Sequence, residues 1–271
     1  MTFRFSVLKK GGISLKRRLK FYKTLDETGF SCHGGEAEWY LPRLNDDGTW
    51  IPGEWMPPIE YELVECKNGY HIATFNQLLH WLAPRIFEAE AGREVIRSEY
   101  KYIARRCRLL REFTNWNEQT ARLFACNCVE RVLPLYEKRY QNDTRLRDAI
   151  NEIRLFVDSQ NSGKPDVGIL SHAFDKAREV EKSDLDDVSR YIASAVSCAA
   201  WTHDEAAEDA RKAIKRCLSA VYEFAIDKAL ARRLSEDATL KMAQKARKTM
   251  EKWQLQRLRQ ILEGGVNNVV D

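Results

Sequence analysis

Cys32-His33 and Cys66-x4-His71 are the residues whose types best suit a metal in this chain. Two short Cys/His pairs on neighbouring turns could give four ligands to a structural zinc. Against that, adjacent residues rarely share one ion, and the Cys-x2-Cys knuckle spacing is absent. The simpler reading packs or hydrogen-bonds His71 within a strand. Zinc through Cys32, Cys66 and His71 stays as the alternative, and no other cofactor is expected. Cys126-x-Cys128 falls in helical sequence, where two residues separate side chains by about 200°, so this pair belongs in a core. Glu88-x-Glu90 would share one face of a strand, with Glu36 and Glu38 as further carboxylates. No Gly-rich phosphate loop, Gly-x-Ser-x-Gly elbow or His-Glu-x-x-His helix accompanies them, so no reaction class follows and no catalytic residue is assigned. Trp39, Trp50, Trp55 and Trp81 could wall a nucleotide or small-ligand pocket, or fill a core.

The elements that must position these residues change character near residue 113. Before it, Phe3, Phe5 and Val7 alternate as a short strand, and Leu15–Tyr22 reads as a helical turn or a strand. Asn45-Asp46-Asp47-Gly48 is a reverse turn, and Pro52, Pro57 and Pro58 exclude a helix. Ile59–Cys66 alternates as a strand, with Asn68-Gly69 as a hairpin turn into Tyr70–Ile72. Thr74 with Gln77 predicts a capped helix over 75–82 that stops near Pro84. Ile86–Ala91 predicts a strand, and 96–113 suits a strand pair or a basic helix, with a strand joining the N-terminal sheet preferred. From Trp116 on the period is helical. Asn117, Thr144 and Ser235 are expected caps, Pro134 bends or breaks its helix, and helices are predicted over about 170–182, 183–202, 204–230 and 235–262. Small residues from Ala193 to Ala213 let those helices approach closely. The expected fold is an α+β domain over 1–113, then an all-helical bundle over 114–264.

Composition supports real cores: 44% hydrophobic and 10% aromatic residues in 271. The formal net charge is only +4, but unevenly placed. Eight basic residues and no acid lie between Arg4 and Lys23, and ten basics oppose three acids from Lys228 to Arg259. A third basic run spans Arg93 to Arg111, and the middle of the chain is acidic. Such asymmetry points to an anionic partner, to self-association, or to plain solvated faces. No apolar run reaches the roughly 18 residues of a membrane span or forms a signal-peptide core. Seven cysteines, an odd number, fit a cytoplasmic protein with reduced thiols.

Trp116-Asn117, Thr120-Ala121-Arg122-Leu123, Ala125-Cys126-Asn127-Cys128, Glu130 and Val132-Leu133-Pro134, followed by Asp143 and Arg145, form a continuous pattern. It resembles the helical domain of bacterial and phage proteins of the immunity-protein type. Gly34-Gly35 with Trp39, Trp55-Met56-Pro57 and Cys66-x-Asn68-Gly69-Tyr70-His71 resemble an uncharacterised phage-associated domain joined to it. The resemblance covers roughly residues 20 to 225 and brings no catalytic residue. It implies a non-enzymatic protein that binds and neutralises a protein partner, a toxin or a host-defence component. The expected partner-binding residues are Trp116, Arg122, Glu130, Arg145 and the stripe of Lys241, Lys245, Lys248 and Lys252, spaced along one helix face. That stripe could instead meet nucleic acid, the chain's own acidic helices or a second copy. A nucleic-acid-binding accessory protein is the second reading, and an enzyme or ligand binder using the N-terminal domain is the third.

Overall fold

The computed structural model describes residues 19–264 except 33, 34, 36, 162, 164, 203 and 204. The expected strand at Phe3–Val7, most of the first basic run, and His33, Gly34 and Glu36 lie outside the described residues. The chain divides into two compact units. One takes the described residues up to Trp81 together with Arg85–Phe113; the other takes Leu82–Pro84 and the chain from Thr114 onward.

The first unit is built on a six-stranded antiparallel sheet in the order β6-β7-β4-β1-β5-β8. Its strands are β1 (Phe21–Leu25), β4 (Tyr70–Thr74), β5 (Arg85–Ala91), β6 (Val95–Arg97), β7 (Tyr102–Ala104) and β8 (Cys107–Glu112). A separate ribbon pairs β2 (Arg43–Leu44) with β3 (Trp50–Ile51) across the expected reverse turn, where Gly48 has a φ of 81°. Period-two alternation sorts the faces. Leu25, Ile72, Phe87, Ala89, Ala104 and Leu109 enter one core with Trp39 and Met56. On the opposite face Glu88 lies across from Arg111 and Glu90 across from Arg108, and both pairs form ion pairs. Glu88 and Glu90 therefore serve as cross-strand partners of arginine.

Ile59–Cys66 forms no strand, contrary to its alternation. Pro57 and Pro58 supply no N–H to a ladder. The preceding segment lies along β8 with one bond every third residue: Gly53 N–H to Leu109 O, Met56 N–H to Cys107 O and Ile59 N–H to Arg105 O, each 2.9 Å. Three residues per repeat is the period of a polyproline helix. Tyr61 is then 77% exposed, which takes this stretch off the sheet. The turn into β4 also sits earlier than Asn68-Gly69. It closes over Glu65–Lys67, with Cys66 at a φ of 60° and Lys67 N–H bonding to Val64 O at 3.1 Å. The helix expected over 75–82 is a 3-10 helix, Phe75–His80, whose Thr74 N–H donates to Gln77 Oε1 at 3.0 Å.

The second unit contains α1 (Glu118–Glu130), α2 (Leu133–Glu137), α3 (Arg145–Asn161), α4 (Val167–Glu181), α5 (Asp187–Ala199), α6 (Ala206–Ala231) and α7 (Glu236–Leu262). Asn117 caps α1 by accepting from Thr120 N–H at 3.0 Å, and Ser235 caps α7 through Ala238 N–H. Pro134 ends the run by opening α2 as a new short helix. Fifth in order, α5 starts later than its expected Ser183, because Asp186 takes the cap and accepts from Ser189 N–H at 3.0 Å. Ala193, Ala195, Ala199, Ala200, Ala206, Ala207, Ala210 and Ala213 are all buried along α5 and α6, so these helices meet at short range. On α1 Ala121, Phe124, Cys126, Cys128 and Val129 are fully buried, while Leu123 is only half-buried.

A Cβ at Gly53 would lie 2.0 Å from the backbone oxygen of Tyr40. Backbone cannot rotate aside as a side chain does, so Gly53→Ala is expected to cost about 1–3 kcal/mol. A thermal melt followed by tryptophan fluorescence checks this; an unchanged midpoint would mean that the segment shifts freely.

Candidate functional site

The run from Trp116 into α1 that carries the resemblance is turned inward. Trp116 is 4% exposed, donates its indole N–H to Ala83 O at 2.9 Å and meets Phe124 edge to face at 6.0 Å. Arg122 is 5% exposed. Its guanidinium donates to Trp201 O at 3.1 Å and Ala199 O at 3.5 Å, and sits 5.6 Å from the Phe156 ring. Those carbonyls end α5, where the last oxygens of a helix lack internal partners and the dipole favours a cation. Glu118 completes the pairing at 3.3 Å. Burial raises the Cys126 thiol to about 12 and Cys128 well above its ordinary value, as expected of packing cysteines. Trp116 and Arg122, expected at a partner surface, are instead inside the unit.

Glu130 and Arg122 do not share a network. Glu130 accepts from Arg154 on α3 at 2.6 and 3.1 Å, and Arg131 lies 4.7 Å from the Trp253 ring on α7. Asp143 and Arg145 close the connection between α2 and α3. Arg145 holds both Asp143 oxygens, at 3.0 and 2.6 Å, and Asp143 Oδ2 also accepts from Tyr136 Oη at 2.7 Å. Arg145, helped by Tyr136, brings the Asp143 carboxyl down to about 2. Beside them Arg139 pairs with Asp186 and, at 3.2 Å, with Asp227 of α6, while Tyr140 Oη donates to Asp186. This second network was not read from sequence. Its visible signal was the Asp186-x-x-Ser189 cap.

Asp227 stands near the C-terminal end of α6, and α7 begins five residues after Ala231. At this turn Leu230 is 61%, Leu234 39% and Leu240 42% exposed. Arg233 adopts a φ of 54° between them. Lys241, Lys245, Lys248 and Lys252 continue along α7 and line one shallow groove with Gln244 and Thr249. At 100° per residue the four lysines fall within an arc of about 60°, opposite the buried Ala243, Met250 and Gln254. All four are exposed. Lys241 pairs with Asp237 on its own helix at 2.6 Å; among the described residues no ion pair forms at the other three. The stripe therefore faces away from the acidic helices of its own unit.

In the sheet unit the basic run is largely matched: Arg105 pairs with Glu94, Arg108 with Glu90 and Arg111 with Glu88. Cys32, Cys66 and His71, the zinc candidates, line one cavity. Cys66 N–H donates to His71 Nε2 at 3.3 Å, and Lys101 Nζ to Cys66 Sγ at 3.1 Å. Burial, with Lys101 and Lys23 nearby, lowers His71 to about 4, so its ring is neutral near pH 7. Among the described residues no three His, Cys, Asp or Glu side chains are grouped to hold a metal. None of their helices is long and apolar enough to cross a membrane.

A helical bundle with an inward motif, a charged end and an outward basic stripe has the parts of a binding scaffold. Residues 111–261, more than half of the chain, match the model of the Imm-5 like putative immunity protein family, and the chain belongs to that family. No curated protein and no solved structure matches the chain.

Two outcomes follow for stability. Arg122→Leu strands the carbonyls that end α5 and is expected to cost about 2–4 kcal/mol in urea unfolding, whereas Lys245→Glu on the exposed face should stay within about 0.5 kcal/mol of the parent. The Asp143 carboxyl is lower in the folded chain than in the unfolded one. Its contribution is therefore present above the unfolded value, near pH 4, and is lost as pH falls towards about 2. Melts of the parent and Asp143→Asn should differ at pH 6 and converge by about pH 2; a constant gap would contradict the pairing.

Proposed function

We propose that this chain is a non-enzymatic interaction protein that binds and neutralises a protein partner, a toxin or a host-defence component with an acidic face. Family membership supports the immunity-type role in general. The observation that carries the finer reading is the surface shared by α6 and α7. Exposed Leu230 and Leu234 lie at the turn from α6 to α7 and exposed Leu240 in the early turns of α7, just ahead in sequence of the Lys241, Lys245, Lys248 and Lys252 stripe. An apolar centre beside a one-signed charge field is what steered, tight association uses: the charge raises the encounter rate and the buried side chains slow dissociation. Arg145, 42% exposed at its side chain and held by Asp143, is the motif residue that remains available to the same partner. On this reading Arg122 and Glu130 act through the scaffold, tying α1 to the end of α5 and to α3, and Trp116 does so through Ala83 and Phe124.

The lysine stripe alone would also suit a phosphate backbone, and the test separates the two. The full chain, immobilised, is exposed to host lysate at low and moderate salt, with and without nuclease. The expected result is a stoichiometric protein that survives nuclease treatment and is retained at moderate salt. With that purified partner, Lys245→Glu with Lys248→Glu should weaken binding at least about tenfold, mostly through the association rate, and Leu240→Asp should speed dissociation. Recovery of nucleic acid alone, released by salt, would replace this reading with the nucleic-acid one.

A further inference from the structure

The sheet unit holds a cavity of about 450 Å³, within the size range of small-ligand sites. Its position follows from the sheet. Neighbouring strands β1 and β4 pair only at Phe21–Thr74 and Tyr22–Ala73, although each is five residues long. Beyond those pairs they diverge, and the cavity occupies the fork, lined by Lys23 and Thr24 on one side and Tyr70, His71 and Ile72 on the other. A fork turns the polar edge of a strand towards whatever fills it.

The charge in this cavity is unusual. Lys23 is 8% and Lys101 7% exposed, and both line it. Each ammonium lies over an indole, Lys23 5.0 Å from Trp39 and Lys101 5.2 Å from Trp81. Lys101 also contacts Cys66 Sγ at 3.1 Å and, at 3.6 Å, Glu65, whose side chain is 48% exposed. Among the described residues Lys23 forms no ion pair and no hydrogen bond through its ammonium. Cation–π contact replaces only part of the hydration that a buried ammonium loses. Among the described residues no carboxylate lines the cavity, so two buried cations leave it short of negative charge. The aromatic walls, Trp39, Tyr70 and Trp81, offer apolar surface beside it.

We infer that this cavity binds a small organic anion, its phosphate or carboxylate between Lys23 and Lys101 and its flat or apolar body against the tryptophans. The site lies in the sheet unit, outside the matched family region, and is independent of the partner surface on α7. Burial supports the same assignment: it disfavours the ammonium and lowers Lys23 to about 8, and a bound anion would offset that loss. The titratable groups facing Lys23 are Lys101, Cys32, Cys107 and His71. His71 is neutral above about pH 5 because it titrates near 4, and burial raises Cys107.

The test is calorimetric titration of the full chain with adenosine 5′-monophosphate and with benzoate, against adenosine and benzamide as their uncharged twins. Inorganic phosphate is a further arm. The expected result is one-to-one binding of at least one organic anion, with its uncharged twin at least about tenfold weaker. A monophosphate preference or a benzoate preference identifies the head group, and binding of inorganic phosphate alone would overturn the role of the aromatic walls. Lys23→Met and Lys101→Met, which keep the length of the stem, should each weaken binding about tenfold or more. Should either variant unfold, the parent decides by itself, because its affinity should fall about tenfold between pH 7 and pH 9 as Lys23 loses its proton. No anion bound more tightly than about 10 mM, equal binding of the uncharged twins, or an affinity independent of both lysines and pH would overturn the inference.

Discussion

The buried guanidinium of Arg122 is the contact on which the helical unit depends. A helix that ends inside a protein leaves carbonyl oxygens without partners, and each such group is costly away from water. Here those oxygens are that of Ala199, the last residue of α5, and that of Trp201 two residues beyond, and one side chain from α1 answers both. The alanine-rich seam of α5 and α6 permits close approach but fixes no register, since small side chains slide past one another at little cost. A planar, fixed-charge group with directional donors supplies the register that alanine lacks. The glutamate–arginine pair from α1 to α3 and the Asp143–Arg145 clasp extend the same logic to the next helices. Polar contacts thus set the positions of helices whose association is driven by apolar burial.

This arrangement explains the division between an inward motif and an outward stripe. The residues that make the chain recognisable, Trp116 through Pro134, build the frame. The surface proposed to meet another molecule lies at the turn from α6 and along α7, where among the described residues Lys241 is the one stripe lysine held by an ion pair. A family can then keep one frame and vary its recognition surface, and residues that define membership need not touch a partner.

Much of the fold was legible in the sequence because its signals are local. Asn117, Ser235 and Thr74 with Gln77 read as caps from side-chain chemistry alone, and Lys241 to Lys252 as a stripe from helical period. What failed was non-local. The alternation of Ile59 to Cys66 has the right period for a strand, yet ladder partners are claimed first by the proline-bounded segment ahead of it, along β8. Trp116 and Arg122 carry the residue types of an interface anchor, and only the fold shows that their partners are Ala83, Phe124 and the end of α5. Likewise Lys23 and Lys101 are separated by nearly the whole sheet in sequence, so no spacing rule could place them around one cavity. Cys66 and His71 did come together there, close to lysine donors.

The segment from Gly53 to Ile59 has a further consequence. Its partner β8 ends the six-stranded sheet, and an end strand with an open row of carbonyls is a template for another chain's backbone. Here Leu109, Cys107 and Arg105 have their outward oxygens taken by a cover that is not itself a strand. Pro52 just before that cover, and Pro57 and Pro58 within it, lack the N–H groups a newcomer would have to meet. The cover therefore terminates the sheet without creating a new edge. It protects the unit from growing into intermolecular β-structure, at a margin where apolar strands are otherwise most prone to recruit one another.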